Sequence, residues 1–338
     1  RSAPMRQWGQ PSKSDPVRLA LVQAAAPGHD IPLQMEWVDA ARRFGNKLWN
    51  AVRLGLRHIE PGSVPAEGGY PDNPGPEGRW VLSRLAEVVD RFDELMAEYR
   101  FSDAFGLLYN FSWSEVFDWY LEMAKTPLRE PDRKEATAQT MGVVLRDLLK
   151  LFHPAIPFLT EELWSHLVGG GFVAASQWPD PPHYQAPPSF AAFQDLVVAI
   201  RRFRAEHELP FDKPLEVLIT DRDGIIEPWW QEQLAALAGA SSRFGEAPDD
   251  AAGHAWLVAG SLQAFMPFEG LVDVEAERSR LTKAISDVEE ALGRSRHKLD
   301  NADFLARAPQ AVVARERDKA AEFAGKLDQL QAQLAELG

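Results

Sequence analysis

The sequence predicts a mainly α protein in three parts: a helical bundle, a small α+β unit and a C-terminal antiparallel coiled-coil hairpin. Three observations carry this. Apolar residues recur at spacings of three and four through much of residues 17–173. Short β-type runs bounded by Pro and Gly follow the Pro-rich linker "QWPDPPHYQAPPS". A heptad repeat then runs from Leu271 to Leu337.

Residues 1–16, "RSAPMRQWGQPSKSDP", have no apolar stretch of the kind a secretion signal needs, and read as a disordered tail or one foreign to the fold. The bundle is expected over 17–175. Its helices are Glu36–Leu56, Trp80–Arg100, Asp103–Lys125 and Asp132–Phe152, the last ended by His153-Pro154. A closing helix begins near Thr160, read as an N-cap with Glu161 and Glu162 in the first turn. The Pro/Gly stretch from Glu60 to Gly78 is a loop.

The α+β unit, 190–268, is expected to hold a helix from Phe190 to Glu208, a strand Leu215–Thr220 and a helix Pro228–Ala238. A hairpin of "AWLVAG" and "LQAFMPF" follows, meeting at Gly260-Ser261. Over 269–338, Leu271, Arg278, Ile285, Leu292 and Leu299 hold one heptad position. Val274, Leu281, Val288 and Ser295 hold its companion. After the break "DNADFLARAP" the seam resumes with Val313, Ala320, Leu327 and Leu334, alternating with Phe323, Leu330 and Leu337. So short a break permits only reversal, and each arm of about 28 residues spans about 40 Å. Asp300 and Asn301 serve the turn, and Phe304 and Leu305 make an apolar tip.

The 338 residues carry 50 Asp and Glu against 36 Lys and Arg, a formal charge of −14. Such a balance disfavours indiscriminate binding to nucleic acid, so a polyanionic partner must be held by local basic patches. Without cysteine there is no disulfide framework or thiolate metal site. The eight His show no HxxH or HExxH spacing, and neither GxxxxGK[ST] nor GxGxxG occurs. No metal or cofactor site and no catalytic residue is expected in this chain. No apolar run is long enough to span a membrane.

Against that acidic background stands "ARRFGNKLWNAVRLGLRH", Ala41–His58, which contains no acid. At about 100° per residue, Arg42, Arg43, Asn46, Lys47, Asn50, Arg53 and Arg57 fall within about 140° of arc. Phe44, Leu48, Trp49, Ala51, Val52 and Leu56 lie opposite. One face is buried and the other offers guanidinium and amide groups, which suit phosphate oxygens and purine edges. A second basic cluster flanks the hairpin turn: Arg294, Arg296, His297, Lys298, Arg307, Arg315, Arg317 and Lys319. That density suits a phosphate grip. Trp113, Phe117, Trp119 and Tyr120 are candidates for base stacking, but their helical spacing reads as core. Glu115 and Asp118 read as polar contacts within the bundle. Arg201, Arg202 and Arg204 read as a solvated or inter-domain face.

Five segments in order resemble one family. "RRFGNKLWNAVR" resembles the first anticodon-domain helix of the valyl-, isoleucyl- and leucyl-tRNA synthetases. "FGLLYNFSWSEVFDWYLEMAK", "LLKLFHPAIPFLTEELWSHL" and "FQDLVVAIRRFRAEHELPFDKPLEVLI" resemble the segments that follow it in that group. The final segment, from "DVEAERSRLTKAI" onward, resembles the coiled-coil arm of valyl-tRNA synthetases in particular. The resemblance implies an anticodon-binding bundle, a junction unit and an arm that grips the outer corner of tRNA. It implies tRNA(Val) as partner, no DNA or membrane partner, a monomer and a cytoplasmic setting. Anticodon contact falls to Arg42, Arg43, Asn46, Lys47, Asn50 and Arg53; arm contact falls to Arg294, Arg296, Lys298, Arg307 and Arg315. The family's HIGH and KMSKS motifs and editing domain are missing from this sequence; Ser12-Lys13-Ser14 only echoes KMSKS. The chain is therefore expected not to ligate valine alone, and ATP and Mg2+ are implied only for a catalytic domain outside it. A free-standing paralogue, or a coiled-coil scaffold for a partner protein, is the alternative.

Overall fold

The computed structural model describes residues 14–25, 34–248, 253–267, 274–300 and 310–336. The chain divides into two compact units, Arg1–Phe190 and Ala191–Gly338.

The first unit is a helical bundle: α1 (Ser14–Ala24), α2 (Met35–Gly55), α3 (Gly75–Ala97), α4 (Phe101–Asn110), α5 (Leu121–Met123), α6 (Pro131–Phe152) and α7 (Pro157–Leu167). Between α4 and α5 the helix widens into ten residues of π-helix, Phe111–Tyr120, where an unbroken α-helix was expected. α6 is the central rod, buried almost without interruption from Thr140 to Phe152. Phe44 of α2 meets Phe152 of α6 with ring centroids 4.7 Å apart, and Phe92 of α3 meets Phe105 of α4 at 5.3 Å, edge to face.

Buried polar groups tie the loops to this core. The Arg146 guanidinium donates to Asp147 (2.8 Å) and to the carbonyls of Pro65 (3.0 Å) and Gly68; Asp147 also accepts the Tyr70 hydroxyl at 2.6 Å. The loop between α2 and α3, shorter than expected because α3 already begins at Gly75, is thereby fastened to α6 with the buried Arg146 and Asp147 charges paired, as burial requires.

Two expectations are corrected at the chain's first helix. α1 already runs from Ser14, inside the stretch read as a tail; residues 1–13 lie outside the described residues. Asp15 is 1% exposed and accepts the Leu159 backbone N–H at 2.7 Å. It therefore caps the N-terminus of α7 from another helix. Thr160 is not the cap: Pro157 starts α7, and the Thr160 hydroxyl donates back to Ile156 O within the helix.

The second unit carries α8 (Phe190–Glu206, its first residue at the division), β1 (Leu215–Asp221), α9 (Trp229–Ala238), β2 (Ala240–Phe244), β3 (His254–Ala259), β4 (Leu262–Pro267), α10 (Val274–Asp300) and α11 (Gln310–Glu336). The sheet order is β2-β1-β4-β3. β1 and β2 run parallel across α9, while β3 and β4 form the expected antiparallel hairpin, with Gly260 in the turn at φ 61°. Strand β2 was not expected from the sequence. Arg204, read as solvated, is buried: its guanidinium donates to the carbonyls of Ala238, Pro210, Lys213 and Gly239.

α10 and α11 pack along each other, and Lys298 near the end of α10 pairs with Glu316 near the start of α11, so the hairpin is antiparallel. Leu281, Val288, Leu292 and Ser295 fill the seam on α10. Val313, Ala320, Phe323, Leu327, Leu330 and Leu334 are half-buried opposite. Leu271, Asn301, Phe304, Leu305, Arg307 and Leu337 lie outside the described residues.

Candidate nucleic-acid interface

α2 is amphipathic in fact. Ala41, Phe44, Leu48, Ala51 and Val52 are buried; Arg42, Arg43, Asn46, Asn50, Arg53 and Arg57 are exposed, with Lys47 intermediate. Trp49, expected in the core, is half-buried. Two glycines let the helix sit close to its neighbours. A Cβ at Gly45 would come 3.3 Å from Leu159 Cδ2, and one at Gly55 only 2.8 Å from Leu145 Cδ1. The basic face is thus fixed to a packed scaffold.

The face is not free of acid, contrary to what the Ala41–His58 window shows. Arg42 pairs with Asp39 at 2.8 Å, one turn earlier. Lys47 pairs with Asp118 at 2.5 Å, from the π-helical segment. Both pairs are substantially exposed, and such pairs contribute about 0–1 kcal/mol, so a phosphate can compete for either cation. Arg43 and Arg53 have no carboxylate partner among the described residues.

Beside this face lies a pair of aromatics, Trp113, whose helical spacing suggests core, and Tyr109, which no sequence motif marks. Phe117 and Tyr120 are buried, but Trp113 and Trp119 are only partly so. Trp113 stacks on Tyr109, also half-exposed, with ring centroids 5.7 Å apart and planes 14° from parallel. The Lys47 ammonium sits 3.9 Å from the Trp113 ring centre. Burial raises the Tyr109 phenol's pKa above its ordinary value, although the Arg43 charge nearby works the other way.

The π-helix makes this cluster possible. Residues five apart on an α-helix diverge by about 140°. The i→i+5 bonding of a π-helix brings them closer together around the axis. Trp113 and Asp118 are five apart, and both reach one ammonium. Glu115 points elsewhere and takes two guanidinium bonds from Arg84, at 2.8 and 3.1 Å. Each of the two carboxylates thus makes a polar contact within the bundle, as expected.

On the arm, Arg294, Arg296, Lys298 and Arg315 are all exposed at the end where α10 gives way to α11. Arg294 pairs with Glu290 at 2.5 Å and Lys298 with Glu316 at 3.5 Å. The Ser295 hydrogen bond, with Lys298 beside it, lowers the pKa of the Glu316 carboxyl. Arg296 and Arg315 face no carboxylate partner among the described residues.

A family model described as the anticodon-binding domain of tRNA ligase matches residues 78–219, and one described as the valyl tRNA synthetase tRNA binding arm matches 273–338. Over 333 residues the chain is 34% identical to a valine–tRNA ligase of Streptomyces avermitilis, covering 97% of this chain and 37% of that protein. The chain is homologous to the C-terminal part of the valyl-tRNA synthetases. Valine–tRNA ligases of Nocardia farcinica (35% over 341 residues) and Bacillus subtilis (32% over 343) match to a similar extent, and the chain spans 37% and 38% of their lengths. The arm match coincides with α10 and α11. The anticodon-binding match opens inside α3, so α2 joins the valyl-tRNA synthetase comparison only through the full-length relatives.

Proposed function

We propose that this chain is the tRNA-binding region of a valyl-tRNA synthetase, with tRNA(Val) as its partner. Arg43, Asn46, Asn50 and Arg53 meet the anticodon loop, joined by Arg42 and Lys47 once their carboxylates are exchanged for phosphate. Arg294, Arg296, Lys298 and Arg315 hold backbone phosphates at the outer corner of the tRNA. Phosphate contacts fix position, while amide and guanidinium forks on base edges supply selectivity. The observation that carries the reading is the exposed α2 face, where Arg43 and Arg53 stand without carboxylate partners among the described residues, in a chain of net charge −14.

Positioned in this way, the tRNA serves an ATP-dependent valine ligation carried out by a catalytic domain elsewhere in the enzyme, acting as a monomer in the cytoplasm. The described residues include no group of three or more His, Asp or Glu that could hold a metal ion.

A gel-shift series with tRNA(Val) and an unrelated tRNA tests the reading. Affinity should fall steeply as salt rises, with a log–log slope of about −0.7 to −0.9 per phosphate contacted, and tRNA(Val) should bind more tightly. Failure to bind either RNA at low salt would remove the reading. A concentration-dependent mass beside that failure would favour a protein-interaction scaffold.

A further inference from the structure

We infer that the Tyr109–Trp113 stack receives one unpaired base of the bound RNA, and that the Lys47–Asp118 pair occupies this place until the RNA arrives. The inference rests on the RNA-binding reading and deepens it.

Three observations converge. First, the bundle closes without covering these rings: Phe44, Phe117 and Tyr120 are buried, while Tyr109 and Trp113 remain half-exposed in a nearly parallel pair. A base adds to such a stack through its π-face, whatever its identity. Second, the Lys47 ammonium stands 3.9 Å from the Trp113 ring centre, close to the separation of about 3.5–4.0 Å at which a base plane would rest. A cation thus fills the space a base would fill. Third, the surrounding charges suit an exchange. Asp118 is half-exposed and holds Lys47 at 2.5 Å. Arg43, Asn46 and Asn50 are exposed on neighbouring turns of α2. A phosphate drawn to that face competes with Asp118 for Lys47; the ammonium moves to the phosphate and the base takes its place on Trp113.

Single-stranded RNA is the occupant this chemistry fits. The site offers an open aromatic plane fringed by cations and amides, which matches the unstacked bases of a loop.

The test uses the full chain and tRNA(Val) carrying 2-aminopurine at each anticodon-loop position in turn. Binding should quench the emission at one position. Trp113→Leu should abolish that quenching and weaken binding about tenfold, with the salt slope unchanged, because stacking releases no counterions. Tyr109→Leu, at the other ring of the stack, should do the same to a lesser degree and covers the case in which Trp113→Leu fails to fold. Lys47→Ala should keep the quenching but reduce the salt slope by about one. Asp118→Asn should tighten binding severalfold. If tRNA binds and is quenched equally with both ring variants, the stacking site is overturned while RNA binding stands. If the wild type binds no tRNA, both readings fall.

Discussion

The bundle and the arm both present arginines to solvent, but from different foundations. Beneath the basic face of α2, Phe44, Leu48 and Val52 are completely buried, and Phe44 rests against Phe152. Beneath the basic end of the arm there is only a seam. Its α10 side is buried at Leu281, Val288 and Leu292, and the α11 residues facing it are half-exposed. A group fixed by a packed core can be aimed at the edge of one base, where errors of an ångström matter. A cation on a two-helix seam is aimed less tightly, which a phosphate tolerates, because a backbone charge carries no sequence.

The first way to break this comparison is to unseat the core. Arg146→Ala leaves the Asp147 carboxylate buried beside Tyr70 without its cation, and should cost about 3–5 kcal/mol. Urea denaturation followed by Trp fluorescence should show the bundle unfolding early. Far-UV circular dichroism should show the arm's helices persisting. Next, Leu292→Ala opens the arm's seam and should cost about 2–3 kcal/mol, visible as lost helicity with the bundle transition unmoved. Third come the surfaces. Arg43→Ala should cost about 1–3 kcal/mol of preference for tRNA(Val) over an unrelated tRNA. Arg296→Ala should weaken both RNAs alike and lower the salt slope by about one. If Arg296→Ala instead erased selectivity, the division of labour would be wrong.

The smallest effect concerns pH. Burial depresses the pKa of His153, against the pull of Glu161 and Asp15. The unfolded chain therefore takes the proton first as pH falls below about 6.5, and the stability due to neutral His153 is lost as pH drops through the lower folded value. His153→Gln should flatten bundle stability across that window; an unchanged pH profile in urea titrations would rule His153 out as its source.

Where local geometry is regular, sequence pattern was enough. The wheel sorted the buried and exposed residues of α2 because α2 is an α-helix throughout, and the heptads located α10 and α11 for the same reason. Partners that lie far along the chain left no local mark. Asp118 is 71 residues from Lys47, and Asp15 is 144 from the backbone N–H it caps. Strand β2, "ASSRF", has no apolar alternation; its pairing with β1 makes it a strand. Arg204 looks like any surface arginine until four carbonyls converge on it. Trp113 was hidden by a further cause. A wheel drawn at about 100° per residue misplaces side chains once the helix widens at Phe111.

That widening also sets what kind of sequence change the region can absorb. Substitutions between Phe111 and Tyr120 alter single side chains, whereas loss of one residue there would return the segment to ordinary spacing. Everything beyond the lesion would turn against everything before it, and the Asp118 carboxylate would swing away from the ring it now shares a cation with. Chain length through this stretch is thus a determinant in its own right, and an in-frame deletion of one codon should be more damaging than most missense changes at the same positions.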